Sequence, residues 1–377
     1  MRTPICERLG IEFPVFAFSH CRDVIAAVTN AGGFGVLGAL AYEPDRLEVE
    51  LDWIDEHVHG KPYGVDFAMP AKYVGKGGGE EATPEHLASL IPDEHRAFVA
   101  KVLDEAGIPP LPDDYQRGVR KAAGLNVDAE GPGQIEVCLA HPNVKMIVNA
   151  LGPPPAYVVQ RAHDAGLLVG ALCGSKQHAE RNVAIGVDVL VAQGTEAGGH
   201  CGEISTMVLV PQIVDAVPEH VPVLAAGGIA DGRQMAAAMA LGAQGVWTGS
   251  VWLLTQEADM HPEVTENLLA AASSDAIRSR TMTGKPARQL RTKWTEAWDR
   301  PDAPDTLPMP LQGLLYGEAA ARFTRVHSKD FGGHPVGQIV GSIDRVKPAR
   351  QVVLDMVEQW ITTVEGLEQL MERDSDT

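Results

Sequence analysis

Val223-Leu224-Ala225-Ala226-Gly227-Gly228-Ile229-Ala230-Asp231-Gly232 reads as a buried strand that ends in two glycines and runs into a helix. One helix later the pattern returns as Gly245-Val246-Trp247-Thr248-Gly249-Ser250, an apolar strand closed by glycine and a hydroxyl. Strand, glycine turn, alanine-rich helix, strand is the unit of parallel β/α architecture. Glycine lets a backbone approach an anion closely, and the free N–H groups at the start of the following helix point toward it. Either turn alone could be a plain connection. As consecutive turns they make a candidate phosphate cradle.

Upstream, six more strand candidates repeat the unit: Pro14–Phe18, Phe34–Leu37, Tyr63–Phe67, Val144–Val148, Leu167–Leu172 and Val187–Ala192. With Val221–Ala226 and Gly245–Thr248 they total eight. Helical patterns lie between them at Asp23–Ala31, Pro44–Val58, Pro155–Ala165, Lys176–Ile185, Ser205–Val217 and Asp231–Leu241, several with Pro or Asp near the start. Eight strands with short connections predict a closed α/β (β/α)8 TIM barrel, an open doubly wound sheet being the alternative. The two glycine turns then follow strands seven and eight, where barrels hold phosphorylated ligands.

The rhythm breaks at about residues 68–142, where Gly77-Gly78-Gly79, scattered prolines and an acidic helical stretch at Glu94–Glu105 intervene. A loop that long without structure is implausible in a compact domain, so a partly helical inserted lobe over the barrel mouth is expected. The expected organisation is a barrel over residues 1–255 and a mostly helical region over 256–377, in which strands stop after Thr255 and Val352–Leu370 packs back on the barrel. Asp374–Thr377 should fray.

With 45% hydrophobic and 21% charged residues in 377, the composition is that of a globular enzyme. A formal net charge of -19 disfavours nucleic acid and anionic membranes as partners. No apolar run reaches the about 20 residues of a membrane span. The start lacks a secretory pattern, so a cytoplasmic setting is expected. The cysteines, Cys6, Cys21, Cys138, Cys173 and Cys201, form no C-x-x-C pair, and no metal site is indicated.

At the end of the sixth strand candidate stands Gln193-Gly194-Thr195-Glu196-Ala197-Gly198-Gly199-His200. This is the face where barrels do chemistry, and a histidine there suits proton transfer near neutral pH. The glycines would let the loop lie flat against a ring system. His20, just past the first strand, sits at the same face and is a candidate for the pocket. Gly33-Phe34-Gly35-Val36-Leu37-Gly38 fits a dinucleotide fingerprint in letters only, because the strand lies inside it rather than before it. Its glycines read as close helix-to-strand packing. His57 and His59 read as solvent-facing at a helix end. Cys201 would be a nucleophile only if it faced His200, which sequence neighbours rarely do.

Together these residues resemble the nitronate monooxygenase family, formerly called 2-nitropropane dioxygenases, which are FMN-dependent barrels. The resemblance is carried by Ala192–His200, by Ala226-Gly227-Gly228-Ile229 with Gly249-Ser250, and by Gly337-Gln338-Ile339-Val340-Gly341. It implies that His200 is the catalytic base or orients substrate over the flavin. Gln193, Gly198 and Gly199 would border the isoalloxazine, the backbone of Ala17 and Phe18 would lie along it, and Gly227, Gly228, Gly249 and Ser250 would hold the phosphate. Members usually carry Ala-Pro-Met where this chain has Ala17-Phe18-Ser19-His20, and Gly-Val-Asn-Phe where it has Gly64-Val65-Asp66-Phe67. Asp66 thus puts a carboxyl where an amide normally faces the cofactor.

The reaction implied is oxidation of an alkyl nitronate with dioxygen to a carbonyl compound and nitrite. A related subgroup, similar in its long C-terminal helix, acts on coenzyme A thioesters or as NAD(P)H:quinone reductases. A flavin-free phosphate-binding barrel, isomerase or binding module, is the reading from another class. Partners are a small-molecule substrate and dioxygen, and a homodimer is compatible with the sequence.

Overall fold

The computed structural model describes residues 1–69, 84–112 and 132–372. Gly77-Gly78-Gly79 and Asp374–Thr377 lie outside the described residues. The strands are β1 (Val15–Ser19), β2 (Phe34–Gly38), β3 (Tyr63–Phe67), β4 (Val144–Asn149), β5 (Leu168–Cys173), β6 (Val189–Gln193), β7 (Gly199–His200), β8 (Val223–Ala226), β9 (Gly245–Thr248), β10 (Ala276–Ser279) and β11 (Ala287–Leu290). The helices are α1 (Pro4–Leu9), α2 (Arg22–Asn30), α3 (Pro44–His57), α4 (Pro84–Ser89), α5 (Asp93–Glu105), α6 (Pro132–Ala140), α7 (Ala156–Asp164), α8 (Lys176–Ala184), α9 (Thr206–Val214), α10 (Gly232–Ala240), α11 (Pro262–Ala270), α12 (Lys293–Ala297), α13 (Leu311–Arg325) and α14 (Ala349–Glu372).

A closed barrel runs β1-β2-β3-β4-β5-β6-β8-β9, and β9 pairs back in parallel with β1. All eight expected strands are barrel strands, with ends shifted by at most about two residues. The open-sheet alternative is therefore excluded. Alternation along each strand sorts side chains into two cores. Phe16, Phe34, Val36, Met146, Val191 and Trp247 pack in one cluster with Ile5 and Leu9 of α1, so α1 joins the lumen's filling. The opposite faces pack on the surrounding helices. A Cβ on Gly35 of β2 would lie 2.7 Å from the Ile25 carbonyl oxygen, and one on Gly33, just ahead of the strand, 2.8 Å from that of Val15. Those glycines serve close packing, as expected.

Strands do not stop after Thr255. β10 and β11 form an antiparallel pair, and β11 continues into β7 with Ala287 opposite His200. The correction has a plain cause: strands of four residues, one of them Ala276-Ile277-Arg278-Ser279, are too short to show a period. The acidic stretch at 94–105 is α5, and α4 and α5 share a separate apolar cluster with α12 and α13 built on Phe98, Val102, Trp294, Trp298, Leu315 and Phe323. α6 packs on α3 and connects β3 to β4, serving as that unit's barrel helix.

α14 lies on α10, and the Gly232 N–H donates to Gln359 Oε1 at 3.0 Å. A Cβ on Gly232 would fall 2.3 Å from the Met356 carbonyl oxygen and 2.3 Å from the Trp360 nitrogen. Backbone cannot yield as a side-chain tip can, so Gly232→Ala is expected to lower unfolding free energy by about 1–3 kcal/mol. Urea denaturation followed by circular dichroism measures it, and an unchanged midpoint would contradict the packing.

Candidate functional site

The C-terminal ends of the barrel strands bring the expected residues onto one face. Gln193 pairs with Ala226, Ala226 with Trp247, Ala17 with Thr248, and Gly38 with Asp66. Gly227 and Gly228 follow β8 with φ of +95° and +73°, a region L side chains rarely enter. A Cβ on Gly227 would meet Gly194 O and Thr206 Oγ1, both at 3.0 Å. Beyond the turn, the Asp231 side chain accepts from the N–H groups of Arg233 and Gln234, while Gln234 Oε1 accepts from Ala230 and Asp231 N–H. This capping box fixes the first turn of α10 directly behind the glycines. After β9, Gly249 precedes a short 3-10 helix, Ser250–Leu254, whose first turn presents another helix N-terminus.

The turn after β6 is held from several sides. Gly194 N–H donates to Ala226 O at 2.9 Å, and Arg288 Nε donates to Thr195 O at 2.9 Å. The Glu196 carboxylate accepts from the Thr206 N–H at 3.0 Å and lies 2.8 Å from Thr206 Oγ1, so it occupies the N-terminus of α9 itself. That helix end is therefore closed to an external anion, and the first turn of α10 is likewise taken by Asp231, Gln234 and Gln359. A phosphate after β8 would thus rest on the glycine turn itself, at the N–H groups of Gly228 and Ile229, and not on the helix end. Gly198 passes so close to the Val336–Gly337 backbone that a Cβ would meet Gly337 N at 2.8 Å. Gly337 N–H donates to Ser250 Oγ at 2.8 Å, and Gln338 N–H donates to Glu196 O at 2.9 Å. The Gly337–Gly341 motif thus ties the β6 turn to the β9 turn, and Ser250 keeps its own hydroxyl proton to donate.

His200 is half-buried, and its Nδ1 lies 3.1 Å from the Pro286 carbonyl oxygen. A carbonyl can only accept, so Nδ1 carries the proton and Nε2 is the free base. Burial lowers the His200 pKa, the Pro286 carbonyl opposes this, and nearby Lys285 lowers it further. Asp66, on β3, is 4% exposed, and its Oδ1 is buried without a hydrogen-bond partner. Burial raises its pKa well above the usual carboxylate range against the opposing Phe67 N–H. The neutral acid it favours offers a donor as well as an acceptor.

His20 places Nδ1 2.9 Å from Gly38 O, and a Cβ on Gly38 would collide with that ring at 2.5 Å. The ring is open to solvent, yet crowded by protein on enough sides that desolvation lowers its pKa, the Gly38 carbonyl opposing. Phe18 stands between His20, at 5.1 Å edge-on, and Trp247, stacked at 6.3 Å. The Ala17 side chain belongs to the outer core, so only its backbone reaches this face.

His334 is a histidine that the sequence reading missed. It is close enough to His20 for the two charges to repel, and burial, the largest effect, lowers its pKa. Its signal was a histidine flanked by Gly332-Gly333 and Pro335 just ahead of the Gly337–Gln338 motif. Lys285 and Arg288 were missed too, because they reach His200 and Thr195 only through the β7–β11 pairing. The bland readings fit the other candidates: His57 stacks on Trp53 at an exposed helix end, and burial raises the Cys201 thiol pKa, away from a nucleophile's range. No helix among the described residues is long and apolar enough to cross a membrane.

The whole chain has known relatives. The chain is 55% identical to a Mycobacterium tuberculosis protein named as a candidate monooxygenase, over 99% of this chain and 100% of that one. It resembles the solved structure of FabK from Thermotoga maritima at 27% identity and a TM-score of 0.73, covering 98% of this chain and 99% of that one. The fold also matches a nitroalkane oxidase from Streptomyces ansochromogenes with a TM-score of 0.77 at 23% identity, over 96% and 99% of the two chains. The model of the nitronate monooxygenase family matches residues 2–359, and the chain belongs to that family of flavin-dependent oxidoreductases.

Proposed function

We infer that this enzyme binds FMN and oxidises alkyl nitronates with dioxygen to carbonyl compounds and nitrite, with His200 as the base when a neutral nitroalkane is offered. The observation that carries the reading is the orientation of His200, whose Nδ1–H is held by Pro286 O so that Nε2 is free beside the Gly194–Gly199 turn.

The residues fit an elongated phosphate-bearing ring cofactor. The glycine turns lie on β8 and β9, and Asp66 lies on β3, four strands from β8 in either direction round the barrel. A phosphate at Gly227, Gly228, Gly249 and Ser250 leaves the ring to extend across the mouth toward the orphaned Asp66 Oδ1. Gln193, Gly198, Gly199 and the Ala17–Phe18 backbone would border it, and His20 would meet the substrate. FMN, when bound, supplies the acceptance of electrons from substrate and their delivery to dioxygen. The chain's part is to orient substrate, to take the carbon-bound proton at His200 Nε2, and to exclude water. The reading includes a cytoplasmic setting, and the homodimer belongs to it as well.

A second reading, hydride transfer from NAD(P)H to a quinone or an enoyl thioester, is favoured by α14, 24 residues long, the feature that resembles the reductase subgroup. Anaerobic titration separates the two. Bleaching of the flavin by a nitronate but not by NADH is expected, and rapid bleaching by NADH alone would replace the first reading with the second.

A further inference from the structure

At the end of the barrel opposite the mouth, α3 lies beside the turn that enters β4. Its residues Glu48, Asp52 and Asp55 share one face at i, i+4 and i+7. His141, in that turn, is 6% exposed, and its Nδ1 lies 2.7 Å from Asp55 Oδ2. Asn143 Nδ2 donates to the other Asp55 oxygen at 3.0 Å, which fixes the carboxylate. The other imidazole nitrogen, Nε2, is buried and has no hydrogen-bond partner among the described residues. One ligand atom each from Glu48, Asp52 and His141 lie within 4.8 Å of one another.

In the neutral imidazole, with the Nδ1 proton given to Asp55, Nε2 carries a lone pair. Because Nδ1 is taken, Nε2 is the nitrogen this imidazole has left for the two carboxylates. Lone pair and carboxylates repel unless a cation stands between them. Among the described residues no lysine or arginine supplies one, since Arg22 and Arg46 of this neighbourhood are both engaged by Glu50.

We propose that Glu48, Asp52 and His141 bind one divalent transition-metal ion, Zn2+ or one of similar softness, with water completing its shell and Asp55 orienting the imidazole from behind. Imidazole plus carboxylate is the donor set for such an ion, and a carboxylate on the far ring nitrogen is its usual support. Donors around tetrahedral zinc stand about 3.4 Å apart, as follows from bond lengths near 2.0–2.1 Å. The exposed Glu48 and Asp52 side chains have the freedom to close that gap, while the buried imidazole stays fixed. The ion would fasten α3 to the β4 turn on the face where barrels carry stability rather than chemistry.

A second group, His261, Glu263 and His327, also has its ligand atoms within 4.8 Å, but both its histidines are exposed and neither has a buried orphan nitrogen. The test removes it first, through His327→Gly, a change that suits the φ of +51° at that position. Calorimetric titration of this tag-free, flavin-loaded protein with ZnCl2 is expected to show one ion per chain. Asp52→Asn and Glu48→Gln, both at exposed positions, should each weaken binding at least about tenfold while leaving the flavin spectrum unchanged. The proposal is overturned if the His327→Gly protein takes up no Zn2+. It is equally overturned if the Asp52→Asn/Glu48→Gln double variant binds Zn2+ undiminished.

Discussion

His200→Asn is expected to retain its flavin and to lose about 10²–10⁴-fold in kcat/KM on a neutral nitroalkane, the usual worth of a positioned general base. Asparagine can still donate an N–H toward Pro286 O, so the pairing of β7 with β11 should survive, but it has no basic nitrogen to replace Nε2. With preformed nitronate, already deprotonated, the loss should shrink to a few-fold. The contrast between the substrates separates a base from a residue that only shapes the pocket. The pH profile adds a sign. The base works only when neutral, and burial lowers its pKa below the usual imidazole value. Activity on the neutral nitroalkane should therefore persist through pH 6.5 and fall only as pH drops through that lowered value. An acid limb above the ordinary imidazole range, or full turnover of the neutral substrate by the variant, would remove His200 from the role.

Gly227→Ala is the second large effect, and it acts on the cofactor. Holding alanine at φ +95° costs about 1–2 kcal/mol, and its Cβ would press on Gly194 O and Thr206 Oγ1 at 3.0 Å and Ala197 N at 3.1 Å. The chain has a cheaper course, which is to shift the turn away from β6. That shift pulls the N–H groups of Gly228 and Ile229 off the phosphate position. The FMN dissociation constant should rise by at least about tenfold, the equivalent of 1.4 kcal/mol, with far-UV circular dichroism unchanged. Equilibrium binding to flavin-free protein reads it, and an unaltered constant would take the phosphate away from this turn.

How much of this was legible beforehand depended on the range of the interactions. β8 and the start of α10 could be read because strand, glycines and capping residues are neighbours, and Asp231 with Gln234 state a helix start by themselves. The same locality made β9 with Gly249-Ser250 readable. β7 is two residues long and exists only because β11, more than 80 residues away, lies beside it. No local pattern announces that, so neither the Pro286 acceptor on His200 nor Lys285 and Arg288 could be foreseen. His334 was hidden for the same reason. Asp66 shows a middle case: its departure from the family's asparagine was visible, but its unpartnered, buried Oδ1 emerges only when the barrel closes round it.

The most direct measurement is the affinity of flavin-free protein for FMN against riboflavin, which differ by the phosphate alone. If the two turns grip that phosphate, FMN should bind at least about 100-fold more tightly, since charge-assisted hydrogen bonds are each worth about 1.5–3 kcal/mol. Riboflavin binding equally well, or protein that takes up neither, would contradict the account at its centre.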